Sequence, residues 1–60
     1  MNALAGRTAE RLDTFEKLIQ MASGHFGMMR GTIYEKYTED MLESVITEKE
    51  EFITHIVRSN

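Results

Sequence analysis

The residues in this chain best equipped for chemistry are its two histidines and the carboxylates around them. Glu51 and His55 stand four apart, which puts both on one face of a helix, with Glu48 a turn before them. That spacing can bring two ligands to one metal ion. Two ligands do not complete a coordination shell, and the Glu-x-x-His spacing of carboxylate-bridged helical bundles is absent, since Phe52 stands three before His55. No metal and no cofactor are therefore expected. The bland reading of Glu51 and His55 is an ion-pairing couple at the edge of an acidic face. His25 lies in Gly24-His25-Phe26-Gly27, where a titrating or metal-binding group would be accessible. A solvated loop histidine is the simpler reading.

No other constellation suggests catalysis. With no cysteine there is no thiolate nucleophile, zinc knuckle or disulfide, and no Ser/His/Asp arrangement is recognisable. No glycine-rich loop follows a strand pattern, so no phosphate cradle is expected. The run Lys49-Glu50-Glu51-Phe52-Ile53-Thr54-His55-Ile56 resembles the start of the phosphoacceptor helix of sensor histidine kinases. In that pattern the acceptor follows the Phe at the position held here by Arg58, so the resemblance implies no phosphotransfer. A chain without these parts is expected not to be an enzyme.

The elements that carry these residues read as two helices. Ala5, Thr8, Leu12, Phe15, Ile19 and Ala22 alternate spacings of three and four, a heptad seam that predicts a helix over 3–23. Asp13 and Lys17 form an i,i+4 pair in the favourable order on its outer side. Gly24 stands where a C′ glycine would end the helix, so a glycine-rich turn is expected over 24–31. Thr32 and Glu35 then have the spacing of a capping box, opening a second helix over 32–58. That helix would be roughly 27 residues, or about 40 Å, long. Its apolar residues Tyr34, Met41, Leu42, Val45, Ile46, Phe52, Ile53, Ile56 and Val57 span an arc of about 160°, wider than the ~100° stripe of an ordinary surface helix. Lys49 falls in the middle of that arc and must snorkel or meet an acid.

The width of the arc predicts association. One antiparallel neighbour cannot cover Met41, Val45 and Phe52 on one side together with Ile46, Ile53 and Val57 on the other. Sixty residues also make a small core, and without disulfides a partner is the remaining staple. The predicted architecture is all-α, an antiparallel hairpin forming one domain over 1–60, dimerising into a four-helix bundle. Leu12, Phe15, Ile19, Met41, Val45, Phe52, Ile53 and Ile56 are the expected core and dimer interface.

Charge narrows the partners. The net charge is −3, divided as +1 over residues 1–30 and −4 over residues 31–60. An acidic chain with no basic stripe is not expected to bind nucleic acid, and a helix-turn-helix reading fails because the second helix lacks phosphate-facing cations. No apolar run is long enough to span a membrane, and the N-terminus lacks a signal peptide's apolar stretch, so a cytoplasmic location is expected. The acids Glu39, Asp40, Glu43, Glu50 and Glu51 could attract a basic partner, although such faces are commonly just solvated. Phe26, Met28, Met29, Tyr34 and Tyr37 cluster at the turn end as a candidate partner surface; plugging the end of the bundle is the simpler role for Phe26 and Met29, which continue the first seam. The expected function is a non-enzymatic protein-interaction module, a small regulator, inhibitor or co-chaperone acting as a dimer. The alternative is an oligomerisation element of a larger assembly.

Overall fold

A computed structural model describes residues 3–59, with side chains described from residue 6 onward. Two helices, α1 (Ala3–Met29) and α2 (Glu35–Ser59), pack as a hairpin. The seam of α1 is the one that its heptads draw. Thr8, Leu12, Phe15, Ile19, Ala22, Phe26 and Met29 of α1 are half-buried, as are Leu42, Val45, Lys49, Phe52 and Ile56 of α2. Ala5, the first position of the predicted seam, lies outside the described side chains. Phe15 meets Phe52 near the middle of the hairpin, ring centroids 5.7 Å apart and tilted by 41°. The Arg11 guanidinium sits over the Phe52 ring, 5.6 Å from its centroid, so one aromatic serves both helices.

The expected end of the first helix is corrected. It does not stop at residue 23, and Gly24 is not its C′ residue, because α1 continues through Gly24 and Gly27 to Met29. A glycine inside a helix costs about 1 kcal/mol relative to alanine. Phe26 and Met29 lie on the continuing seam, and their burial against α2 offsets that cost. The glycine that ends α1 is Gly31, whose φ of 82° lies in the left-handed region. The turn therefore occupies residues 30–34 rather than 24–31, and His25 sits on a helix rather than in a loop.

The capping box at the start of α2 is present with its partners shifted. The Thr32 hydroxyl accepts from the Tyr34 N–H at 3.1 Å, and the Glu35 carboxylate accepts from the Gly31 N–H at 3.1 Å. The Thr32 hydroxyl also donates to the Met29 carbonyl at 2.6 Å, tying the cap of α2 to the last turn of α1. The Glu35 N–H donates to the Thr32 carbonyl before the Thr38 N–H opens the α-helical pattern on Tyr34. This tight first turn moves the start of α2 from residue 32 to Glu35. Glu35 in the first turn and Arg58 in the last suit the helix dipole of α2, whereas α1 has no acid in its first turn and no base in its last. The helicity of α1 thus leans more heavily on packing.

The shape is a rod. Its radius of gyration is 14.3 Å, and its extents are 47 × 18 × 9 Å. A compact chain of this length would have a radius near 10 Å.

Candidate functional site

What this rod leaves uncovered is its most informative feature. Among the described residues no hydrophobic side chain is buried. The single buried residue among them is Thr38, 2% exposed, whose hydroxyl lies 3.0 Å from the Tyr34 carbonyl and 2.9 Å from that of Glu35. A threonine can occupy a seam position because its polar atom is satisfied within its own helix.

The apolar residues beside the seam fall on two flanks. Leu18, one heptad beyond Arg11, and Met41, two heptads before His55, share the first flank. Ile46 and Ile53, one heptad apart, share the second. All four are between 37% and 45% exposed. Of the residues expected in the interface, Leu12, Phe15, Ile19, Val45, Phe52 and Ile56 lie in the hairpin seam, while Met41 and Ile53 stand outside it on opposite flanks. The candidate partner surface divides in the same way. Phe26 and Met29 are half-buried in the seam, whereas Met28, Tyr34 and Tyr37 are exposed. Ile33, in the turn, is the most exposed large hydrophobic of the described residues, at 89%. It sits between the cap residue and the first turn of α2, outside any periodic pattern, so periodicity gave no reason to single it out.

Lys49 enters the seam and is 28% exposed, its ammonium 4.0 Å from the Glu16 carboxylate of α1. The other ion pairs lie on outer surfaces. Lys17 meets Asp13 at 3.0 Å, and Lys36 meets Asp40 at 3.2 Å and Glu39 at 3.3 Å. Hydrogen bonds to Asp40 and Glu39 raise the Lys36 ammonium above its ordinary value of 10.5. Asp40, Glu43, Glu48 and Glu51 line a shallow acidic depression on the outer side of α2, with Ser44 and Thr47 between them.

His55 and Glu51 are brought near Thr47, Glu50, Thr54 and Arg58 on the exposed surface of α2. Among the described residues no three His, Cys, Asp or Glu side chains come together as a metal site. His55 also faces the other way, across the open end of the hairpin. There Arg7, Thr8 and Arg11 of α1 meet Phe52, His55, Ile56 and Ser59 of α2 around a cleft of about 340 Å³. Sequence reading missed this cleft. Arg7 and Arg11 share a helical face by their spacing, but only the hairpin register brings His55 opposite them.

The chain matches no protein-family model, no curated protein and no solved structure. No helix among the described residues is long and apolar enough to cross a membrane.

Proposed function

We propose that this hairpin is a protein-interaction module that acts as a dimer, two copies packing into a four-helix bundle. The observation that supports the reading is the surface left by a single copy. Its accessible area is 5051 Å². A compact monomer of 6.9 kDa would expose about 4,000 Å². The difference is on the order of the ~800 Å² that each partner contributes to a standard interface. Face-to-face packing of two hairpins covers one of the two half-exposed flanks, Leu18 with Met41 or Ile46 with Ile53, and completes the core that one hairpin lacks. The reading is of a binding element, a small regulator, inhibitor or co-chaperone, rather than a catalyst.

The turn end would then meet the partner. Met28, Tyr34 and Tyr37 combine adaptable and aromatic apolar surface with polar tips, and buried anchors of that kind supply most of an interface's affinity. Charged rims such as the acidic side of α2 mainly tune encounter.

Sedimentation equilibrium at micromolar concentration is the first test. Twice the 6.9 kDa chain mass is expected, and a folded monomer would end the proposal. Growth with concentration beyond the dimer would favour the assembly element instead, since a two-fold dimer leaves its second flank uncovered. For the partner surface, Tyr37→Ala and Met28→Ala are compared with the double change Glu43→Lys and Glu50→Lys, after each variant is checked for an intact dimer. Loss of partner capture in the turn-end variants is expected. Loss in the charge-reversed variant alone would move the surface to the acidic face.

A further inference from the structure

We infer that the cleft at the open end of the hairpin binds a carboxylate carried on an apolar body. The cleft differs from the rest of this acidic molecule in charge. Two guanidiniums, Arg7 and Arg11, and the His55 imidazole line it, and among the described residues no carboxylate does. This is not for want of acids, of which the chain has ten. Lys17, Lys36 and Lys49 each have a carboxylate within 4.0 Å. Among the described residues none of the four arginines has one within that distance, and Arg7 and Arg11 are the two that share a cleft.

The apolar side chains set the second requirement. Phe52 and Ile56 are half-buried in the lining of the cleft, and the Arg11 guanidinium sits over the Phe52 ring, its central carbon 5.6 Å from the centroid. A guanidinium held over a ring keeps its edge N–H groups for a planar acceptor, and the guanidinium fork matches a carboxylate. The apolar part of the lining gives nothing to a bare hydrated ion but covers an aromatic or aliphatic body attached to one. A volume of about 340 Å³ is at the small end of ligand sites, enough for one side chain and its acid group. An apolar residue at a peptide C-terminus and a small aromatic acid both carry this chemistry. The cleft shares its flank with Leu18 and Met41, so its binding rests on any dimer packing through Ile46 and Ile53 instead; dimerisation is monitored separately.

The test is an amide-resolved NMR titration of the full chain with 3-phenylpropionate. Saturable shifts clustered at Arg7, Arg11, Phe52, His55 and Ile56 are expected. The neutral 3-phenylpropanamide should bind about tenfold more weakly, because it loses the charge-assisted hydrogen bonds, and acetate and inorganic phosphate should also bind more weakly, because they lack the body. Arg7→Gln, which spares the Arg11–Phe52 contact, should weaken phenylpropionate about tenfold with helicity and sedimentation unchanged; Arg11→Gln should do so as well. N-acetylphenylalanine separates the sources: binding at least as tight as phenylpropionate supports a peptide C-terminus, and weaker binding supports a free acid. The inference is overturned by scattered or non-saturable shifts, by an amide or phosphate that binds as well as the acid, or by an Arg7→Gln variant of unchanged affinity.

Discussion

Glycines at three positions of this chain do different work, and substitution should separate them. Gly31 ends α1 with φ at 82°, a conformation that costs an L-residue roughly 1–2 kcal/mol. Gly24 is helical, and a Cβ built there meets nothing within 4 Å. Gly24→Ala should therefore stabilise by about 0.5–1 kcal/mol, while Gly31→Ala should destabilise by about 1 kcal/mol or more. Urea midpoints at fixed protein concentration compare them, and equal shifts would contradict the assignment of the turn. Gly27 is also helical and open in the single hairpin, but it lies nearer a flank, so it is the less clean test. Lys49 is the other residue with a sharp consequence. Its pair with Glu16 is long and partly solvated, worth about 0–1 kcal/mol. Lys49→Leu should raise the melting temperature by completing the seam. It should also broaden the range of assembly states seen by sedimentation, because a polar residue at a core position specifies register and partner number. A lower melting temperature would show that the ion pair matters more than its length suggests.

Between the elements, Phe52 reports how fully the seam is covered. In the hairpin it is half-buried against Phe15 and beneath Arg11. Truncating a fully buried phenylalanine costs about 3–5 kcal/mol. A single hairpin predicts roughly half of that for Phe52→Ala, and a bundle in which a second copy closes the seam predicts the full range. Denaturant unfolding at high protein concentration distinguishes the two. The lower value would place the dimer contact away from the Phe15–Phe52 layer. The heptad spacing placed Phe15 on the seam and carried Phe26 and Met29 into it, while the pairing of Phe15 with Phe52 came only with the register between the helices. What it did not reveal was that the same seam would draw the helix past two glycines, because local propensity and long-range burial oppose each other there.

For the molecule as a whole, a rod with no buried hydrophobic side chain among its described residues should not be independently stable at low concentration. If two copies fold together, unfolding is linked to association, and the melting temperature must rise with protein concentration. Circular dichroism melts over a hundredfold range of concentration should show this. A melting temperature independent of concentration, with high helicity at the dilute end, would mean that the hairpin is stable alone.

The sequence by itself determined the two helices, the seam of α1 and the surplus of apolar surface on α2, because helical spacing fixes which residues share a face before any partner is present. It also determined that Lys49 would have to snorkel or meet an acid, though not that the acid would be Glu16. The tertiary structure decided everything that depends on register between the helices. It set where α1 ends, since burial of Phe26 and Met29 outweighs glycine propensity; it put Leu18 with Met41 on one flank and Ile46 with Ile53 on the other. It also brought Arg7, Arg11 and His55 together, because residues more than forty positions apart meet only when the chain folds back on itself.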